Sequence, residues 1–577
     1  MKHFNYHKYK PFPPVGLTDR VWPDKIITKA PRWCSVDLRD GNQALPVPMN
    51  LEQKLKMFKL LVKIGFKEIE IGFPSASETE FKFVRHLIEN NLIPDDVVVQ
   101  ALTQAREHLI KKTCESLVGA KCAMIHMYNS TSELQRRVVF KMNRAEIKAI
   151  AIRGTEWVKQ YATEYLAGTE VFYEYTPESF MGTELDYAVE VCEVVTETWG
   201  INSQNKIIIN LPSTVEITTP NVWADQIEWF CQNFKYRHQA IISLHCHNDR
   251  GTAVAATEFG VMADADRVEG TLFGNGERTG NADIVTLALN LYTQGVNPEL
   301  NFSDLNEVRV AYKQCTGLKI SDRLPYSGAL VFTAFSGSHQ DAINKGLAVL
   351  KKNGNSEDCW EVPYLPMNPA DVGRNYEPII RINSQSGKSG VAYIMEKEFG
   401  FCMPKTMHPE FSKIIQKISE ATAQEVSPQK LKEAFEREYL LTRAPFSLIS
   451  YKITSANNQN ATVLEVTLAL DIGGTVTLRG SGSGPIDAFM NALRKCGSPF
   501  TLLAYEEHAL EVGADARAVA YIQLVAPNNE RRFGVGVDAN IITASLQAIL
   551  SAINRFTLNQ NGAWVKKLLE SKIIITK

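Results

Sequence analysis

The feature that most constrains the fold of this chain is a regular alternation of strand-like and helix-like segments across residues 31–305. Eight short segments are rich in β-branched and other apolar residues and are bounded by turn-forming residues. They are WCSVDL (33–38), EIEIGF (68–73), VVVQALT (97–103), CAMIHMY (122–128), EVFYEYT (170–176), KIIINLP (206–212), AIISLHCH (240–247) and VEGTLFG (268–274). Eight strands that alternate with helices over about 250 residues match the number that closes a (β/α)8 barrel. The fold class is therefore predicted to be α/β, with a TIM barrel rather than an open doubly wound sheet.

The rest of the chain divides into three parts. Residues 1–30 are rich in proline and aromatic residues and are predicted to form an N-terminal arm. Residues 306–440 are partly helical with a Gly-, Pro- and Asn-rich segment, so we expect small linker subdomains that contribute to the active site. Residues 441–577 contain two successive sets of three strands and one helix, which predicts an α+β C-terminal domain with a weak internal duplication. Such a module is typical of small-ligand binding or dimerisation.

Composition excludes several classes of protein. The 62 basic and 64 acidic residues give a net charge of −2, so nucleic-acid binding driven by bulk charge is not expected. No apolar run approaches the roughly 18 residues of a membrane span, and residues 1–20 lack the apolar core of a signal peptide. Ten cysteines without a CxxC pair favour reduced thiols over a disulfide framework. These observations predict a cytoplasmic protein without nucleic-acid or membrane partners.

Two histidines end the seventh predicted strand. In LHCHND (244–249), His245 and His247 are two residues apart, and the period of a strand places both side chains on one face. Two adjacent imidazoles can form half of a metal site. An isolated HxH pattern is more often a pair of core or surface histidines. However, the carboxyl end of a barrel strand is where TIM barrels place catalytic groups, so the position favours a functional role.

Two further motifs follow strands at the same face of the barrel. In DLRDGNQ (37–43), Asp40 could supply an oxygen ligand, and Arg39 could hold a carboxylate or polarise a carbonyl group. In GNGERTGN (274–281), Asn281 could add an amide oxygen, while the glycines allow close approach of the backbone. Each motif alone is equally compatible with a surface turn. Together with the histidines they predict a mixed nitrogen and oxygen site for Mg²⁺, Mn²⁺ or Zn²⁺.

Polar side chains also lie at the ends of three other predicted strands. They are His126 at the fourth strand, Thr176 and Glu178 at the fifth, and Thr214 at the sixth. Any one of them is consistent with an ordinary loop residue. As a ring around one mouth of a barrel, they predict a polar substrate cavity.

The motifs of this chain resemble those of the 2-isopropylmalate synthases of the long-chain type. The resemblance is carried by SVDLRDGNQAL, GFPSASETEF, LHCHNDRGTAVA and GNGERTGN, and it continues through SGSHQDAINKG (336–346), VPYLPMNPADVGR (362–374) and RINSQSGKSGVAY (381–393). It implies an acyltransferase that condenses acetyl-CoA with 2-oxoisovalerate and water to give 2-isopropylmalate and CoA, the first committed step of leucine biosynthesis. It also implies a homodimer that is feedback-inhibited by leucine.

The resemblance assigns roles to residues of this sequence. The implied metal ligands are Asp40, His245, His247 and Asn281. The implied contacts of the oxo acid are Arg39, His126, Thr176 and Thr214. The residues that match acid–base positions are Glu178, His339 and Tyr364. Arg39 is also expected to stabilise the alkoxide that forms on the keto carbon, whereas the identity of the general base stays open.

The resemblance further implies that the C-terminal domain binds leucine. Its two helices are predicted to be entered through small residues, in GSGSGPIDA (480–488) and GVGVDANIITAS (534–545). Backbone N–H groups at such an entry could hold a carboxylate, so Gly534, Gly536 and Ala539 are the predicted leucine contacts.

Two alternatives stay open from the sequence. A sister synthase, such as homocitrate or citramalate synthase, shares the shorter LRDG pattern and uses another 2-oxo acid. A protein of a different class would be a non-catalytic metal-binding leucine sensor, which the full set of polar strand ends disfavours. A turnover assay separates these alternatives.

Overall fold

The computed structural model describes residues 6–200, 207–352, 359–376, 388–422, 426–455, 461–471, 473–511, 513, 516–557 and 575–576. The chain forms two compact units. The first comprises Met1–Phe332 and Pro366–Tyr376, and the second comprises Thr333–Leu365 and Glu377–Lys577. Within the described part of the chain, no helix combines the length and the hydropathy that crossing a bilayer requires.

Eight parallel strands form a closed barrel in the first unit, in the order in which they occur along the chain. They are β1 (Arg32–Ser35), β2 (Glu68–Gly72), β3 (Val98–Gln104), β4 (Cys122–Ser130), β5 (Glu170–Glu178), β6 (Ile207–Ser213), β7 (Ala240–Cys246) and β8 (Arg267–Gly270). This confirms the predicted (β/α)8 barrel. The first and last strands are shorter than predicted, because the chain enters a helical turn at Asp37–Gly41 and a tight turn at Leu272–Gly274, where Phe273 has a φ of 58°. Both turns carry residues to the mouth of the barrel.

Helices connect the strands and pack around the outside of the barrel. They are α1 (Leu51–Ile64), α2 (Glu78–Glu89), α3 (Glu107–Ser116), α4 (Glu133–Gln135), α5 (Arg144–Tyr165), α6 (Leu185–Trp199), α7 (Pro220–Asn233), α8 (Ala253–Met262), α9 (Ile284–Tyr292) and α10 (Leu305–Thr316). Reciprocal side-chain caps begin two of them, Asn50 with Gln53 in α1 and Asn143 with Glu146 in α5. The caps define where the preceding loops end, and these loops surround the barrel mouth.

The first unit extends beyond the barrel domain predicted for residues 31–305. Helix α10 packs against α1, so the boundary predicted at residue 305 falls inside the unit. Residues 366–376, predicted as part of the linker subdomains, also belong to it.

The N-terminal arm packs on the outside of the barrel where it is described. Arg20 Nε donates to Asp225 Oδ1 of α7 at 2.6 Å. The rings of Trp22 and Phe259 have centroids 5.0 Å apart, which fastens the arm to α8 as well.

The described residues of the second unit form four helices followed by two sheets. The helices are α11 (Gly337–Lys352), α12 (Lys388–Phe399), α13 (His408–Thr422) and α14 (Pro428–Phe435). The strands and helices of the sheets are β9 (Phe446–Ser455), β10 (Thr462–Leu470), β11 (Thr475–Gly482), α15 (Pro485–Lys495), β12 (Thr501–Ala509), β13 (Ala518–Val525), β14 (Arg531–Asp538), α16 (Ile541–Thr557) and β15 (Ile575–Thr576). One sheet has the order β15-β11-β10-β9 and the other β12-β13-β14. The predicted repeat of three strands and one helix is therefore present.

Gly534 and Gly536 lie within β14, the third strand of the second repeat, which ends just before the entry to α16. A Cβ atom at Gly534 would lie 2.1 Å from the Ala548 carbonyl oxygen, and one at Gly536 would lie 2.0 Å from that of Ala544. The two glycines therefore allow α16 to pack closely on the strand. Ala539 lies in the exposed turn before α16. Contact of leucine with these residues stays a prediction.

Candidate active site

A cavity of about 960 Å³ opens at the carboxyl ends of the barrel strands. Its lining draws on the ends of the strands and on the loops that follow them. The sequence-predicted residues in this lining are Arg39, Asp40, His126, Thr176, Glu178, Thr214, His245 and His247. Residues that lie far apart along the chain thus meet at one mouth, as TIM barrels place them.

Asp40, His245 and His247 form a compact cluster in this cavity. Each offers one ligand atom, and the three atoms lie within 4.8 Å of one another. All three side chains are buried. The cluster forms because Asp40 follows β1 and the histidines end β7, and both strands flank β8 in the closed barrel.

Asn281 joins this cluster from the loop after β8, where a β-bridge pairs it with His247. Its amide Nδ2 donates to Asp40 Oδ2 at 2.6 Å and to the Asn275 carbonyl oxygen at 2.9 Å. Two acceptors on one side identify the nitrogen, so the opposite atom is the amide oxygen. That oxygen is buried and has no hydrogen-bond partner among the described residues. A buried acceptor in this state fits a ligand for a cation.

Neighbouring groups set the protonation states of the cluster. His245 Nδ1 lies 2.8 Å from Glu269 Oε2, which orients the ring and leaves Nε2 available. Burial, and then His245, lower the pKa of His247 to about 3, so this imidazole is neutral at pH 7. Burial raises the pKa of Asp40, but Arg39 and the two histidines outweigh this effect and hold the pKa at about 2. The neutral imidazole of His247 and the ionised carboxylate of Asp40 are the forms that bind metals, so these residues fit a divalent cation.

Arg39 is held beside the cluster by two carboxylates. Its Nη1 donates to Asp40 Oδ1 at 2.8 Å, and its Nε donates to Glu70 Oε2. Glu70 Oε1 lies 2.6 Å from His126 Nδ1, and His126 Nε2 lies 2.7 Å from Thr176 Oγ1. Both ring nitrogens of His126 are therefore held by neighbouring polar groups. One hydrogen-bonded chain therefore positions three of the predicted substrate contacts.

A second buried group, His126, Glu174 and Glu269, also has the spacing of a metal site. Arg267 lies among these residues, with Nη1 2.8 Å from Glu269 Oε1 and 3.3 Å from Glu174 Oε2. This guanidinium already balances the carboxylates, so we assign no metal to the group. Burial holds the pKa of Glu174 well above its usual value, although Arg267 opposes the shift.

Glu178 and Thr214 lie on the cavity wall at the ends of β5 and β6. The Ser130 hydroxyl donates to Glu178 Oε2, and the Ser179 backbone N–H donates to Thr214 Oγ1 at 2.9 Å. Both side chains are thus held by neighbours from adjacent loops.

His339 and Tyr364 belong to the second unit, and the structure brings them together there. Their rings are stacked, with centroids 4.0 Å apart and planes 22° apart. Tyr364 has 62% of its surface exposed and a backbone φ of 64°, which is uncommon for a residue with a side chain. The pair therefore presents an exposed phenol beside an imidazole.

Sequence analysis missed the polar residues that lie beneath the cavity. They are Glu70 on β2, Gln100 on β3 and Glu269 on β8, all fully buried. The signal was present in the strands themselves, since EIEIG and RVEG carry carboxylates inside otherwise apolar segments. In a closed barrel, alternate strand residues face the interior, so such carboxylates must find partners there.

Three family models match successive parts of the chain. They are the HMGL-like family over residues 30–311, the alpha-isopropylmalate synthase post-catalytic domain-like family over residues 329–396, and the LeuA allosteric (dimerisation) domain over residues 425–557. Together they account for the barrel, the following segment and the C-terminal sheets.

Two relatives that match nearly the whole chain are 2-isopropylmalate synthases. A 2-isopropylmalate synthase of Clostridium acetobutylicum is 58% identical over 560 residues, which cover 96% of this chain and 100% of the relative. A 2-isopropylmalate synthase of Rhodospirillum rubrum is 53% identical over 552 residues, which cover 95% of this chain and 98% of the relative. On the strength of these matches, the chain belongs to the 2-isopropylmalate synthase family.

Proposed function

We propose that this chain condenses acetyl-CoA with 2-oxoisovalerate and water to give 2-isopropylmalate and CoA, the first committed step of leucine biosynthesis. The observation that carries the proposal is the 58% identity to a 2-isopropylmalate synthase along the whole length of that relative. The cavity supports it, because a cluster of metal ligands beside a guanidinium suits the keto and carboxylate oxygens of a 2-oxo acid.

Asp40, His245, His247 and Asn281 would hold the divalent metal of this reaction. Two imidazoles, a carboxylate and an amide oxygen are compatible with Mg²⁺, Mn²⁺ or Zn²⁺. When bound, the metal supplies a Lewis acid for the keto oxygen of the acceptor.

The remaining cavity residues would bind the acceptor and move protons. Arg39, His126, Thr176 and Thr214 are the proposed contacts of the oxo acid. Arg39 would also stabilise the negative charge that develops on the former keto oxygen. Glu178, His339 and Tyr364 are the candidates for removing a methyl proton from the thioester and for returning a proton to the product.

The test of this function is a free-thiol assay of CoA release with a panel of 2-oxo acids. We expect 2-oxoisovalerate to be the preferred acceptor and pyruvate or 2-oxobutyrate to react more slowly, since a missing methylene changes binding by about 1–3 kcal/mol. Faster release with 2-oxoglutarate would transfer the assignment to a homocitrate-type synthase. No release with any acceptor would leave a non-catalytic leucine sensor.

Tyr364→Phe is expected to lower kcat by about 100-fold, with a much smaller change in the KM for the oxo acid. The substitution removes only the phenolic hydroxyl and keeps the ring that stacks on His339. Steady-state kinetics with both substrates provide the measurement. Tyr9→Phe, at an exposed tyrosine of the arm, is the control. A parent-like kcat would remove Tyr364 from the mechanism.

The match to a LeuA allosteric (dimerisation) domain over residues 425–557 supports two further proposals, a homodimer and feedback inhibition by leucine. Leucine can inhibit only if it binds one conformation better than another, because equal affinity shifts no equilibrium. Gly534, Gly536 and Ala539 stay the proposed contacts, although the two glycines also serve the packing of α16.

Ala539→Arg is expected to raise the leucine concentration for half inhibition about tenfold, a loss of roughly 1.4 kcal/mol in binding. Ala539 is exposed, so the larger side chain fits without disturbing the core. Gly534→Asp is a poorer test, since any side chain there collides with α16. The leucine concentration for half inhibition is measured for variant and parent at the same acetyl-CoA concentration. Without leucine, the kcat of the variant is expected to match that of the parent. Unchanged inhibition would place the leucine site elsewhere.

We also propose that the reaction takes place in the cytoplasm. The ten cysteines form no disulfide, and six of them are buried, at residues 34, 114, 192, 231, 246 and 315. Free thiols throughout a chain are typical of a reducing compartment.

A further inference from the structure

A partly buried ion pair between α1 and α2 has no role in the machinery described above. The Lys54 side chain is completely buried, and its Nζ donates to Glu80 Oε1. Nζ also lies 5.1 Å from the centroid of the Phe83 ring. The other carboxylate oxygen, Glu80 Oε2, accepts from the Phe73 backbone N–H at 3.3 Å. One carboxylate thus joins two helices to the loop that follows β2.

The backbone at the end of β2 leaves room for this carboxylate. A Cβ atom at Gly72 would lie 2.0 Å from Glu80 Oε2. Gly72 also has a φ of 145°, which residues with side chains rarely adopt. Glycine at this position is therefore part of the same arrangement.

Stability does not account for the Lys54–Glu80 pair. Replacing a buried ion pair by apolar side chains of similar volume is often neutral or stabilising, because both ions lose their hydration. Lys54 also lies in the first turn of α1, where the helix dipole disfavours a cation. Burial lowers the pKa of Lys54, and Glu80 only partly opposes that shift. A role in positioning explains the pair better than a gain in stability.

The pair adjoins one wall of the catalytic cavity, and Glu80 itself is among the lining residues. The residues of this wall are Pro48, Met49 and Asn50 before α1, and Phe73, Ala76, Ser77 and Thr79 after β2. Asn50 caps α1, and Ser77 caps α2 by accepting from the Glu80 backbone N–H at 3.2 Å. The ion pair therefore links the first turns of α1 and α2, and the wall residues lie in these turns and in the loops that precede them.

The wall differs chemically from the part of the cavity that carries the ionic cluster. The metal ligands and Arg39 form an ionic end that suits the oxygens of an oxo acid. The wall is made of apolar, hydroxyl and amide side chains, and Glu80, its charged neighbour, is already paired. A thioester with its long chain of methylene and amide groups matches these neutral surfaces. We infer that Lys54 and Glu80 are positioning residues for the wall that receives the acyl donor, an inference that rests on the proposed function.

The test compares KM values for the two substrates in paired variants. Lys54→Met with Glu80→Leu removes both charges and the bond to Phe73 but keeps the volume filled, so the barrel is expected to fold. We expect the KM for acetyl-CoA to rise about tenfold, because the wall is no longer fixed, while the KM for 2-oxoisovalerate changes less than about twofold. Metal affinity, measured by calorimetry, is expected to match the parent. Lys63→Met is the matched control, since it removes an exposed ion pair with Glu307 at the far end of α1.

Each outcome decides between the alternatives. A folded double variant with a parent-like KM for acetyl-CoA overturns the inference while leaving the proposed function intact. An equal rise in both KM values, or a loss of metal affinity, overturns it as well, because the pair would then only support the barrel. If the double variant fails to fold, Glu80→Gln is measured instead, since it keeps an acceptor for the Phe73 N–H, and the same selective rise is required. A parent chain that neither binds acetyl-CoA nor releases CoA overturns the proposed function itself.

Discussion

His245→Ala is expected to abolish tight binding of the divalent metal and to lower kcat by about 1,000-fold or more. The ligand atoms of Asp40, His245 and His247 lie within 4.8 Å of one another, so each contributes a large part of a small site. The substitution also leaves Glu269 without its contact at 2.8 Å to the imidazole. Metal content by mass spectrometry and turnover by thiol release are the two measurements.

His238→Ala is the control for this experiment. His238 is exposed and lies just before β7, at the opposite end of the strand that His245 occupies. Loss of an imidazole there should change neither metal content nor kcat. Full turnover of His245→Ala, or of the parent in excess chelator, would contradict the proposed metal site.

The barrel could be predicted because the residue pattern of each strand can be recognised without knowing the rest of the fold. AIISLHCH shows the principle, since its mostly apolar run acquires histidines at the carboxyl end, where the observed β7 ends at Cys246. The same pattern located His245 and His247 without knowledge of the remaining strands. Closure of eight such strands then places their carboxyl ends at one mouth, so local patterns were sufficient to assemble the candidate site.

The partners of the buried charges could not be predicted in the same way. Arg267 Nε donates to Glu68 Oε2 at 2.5 Å across 199 positions of sequence, and a single sequence does not indicate which carboxylate meets which cation. Glu70 illustrates the consequence, since its contact with His126 fixes the position of a ring that no motif connects to it. These pairings depend on the stagger between strands, which side-chain type does not encode.

Gly534 and Gly536 show a second reason why the sequence alone did not predict every local contact. GVGV is compatible both with a strand that a helix approaches closely and with a loop that enters a helix. Pairing with β13 places both glycines in a strand, and the close contact with α16 leaves no space for a Cβ atom at either position. The extent of the first unit depends on tertiary packing in a similar way, since α10 joins it through contacts with α1.

Arg39→Gln is expected to lower kcat/KM for the oxo acid by about 100- to 1,000-fold. Only 12% of the Arg39 side chain is exposed, and it donates to both Asp40 and Glu70. Glutamine keeps a hydrogen-bond donor but removes the positive charge that would face the developing alkoxide. The kcat/KM of Arg39→Lys is expected to lie between those of the parent and of Arg39→Gln, because lysine keeps the positive charge but lacks the planar, two-pronged guanidinium.

The pH dependence of Arg39→Gln separates lost catalysis from simple misfolding. Arg39 is the main group that opposes the effect of burial on Asp40 and holds its pKa at about 2. Without the guanidinium, burial would prevail and the pKa of Asp40 would rise, so the carboxylate would be protonated, and lost as a ligand, at a higher pH. The acid limb of the pH profile of kcat/KM should therefore move to higher pH in Arg39→Gln and stay near the parent in Arg39→Lys. Arg137→Gln, which removes an exposed guanidinium paired with Glu133, is the control and should leave the profile unchanged. A large loss of activity with an unshifted acid limb would mean that Arg39 acts on the substrate alone and does not set the charge of Asp40.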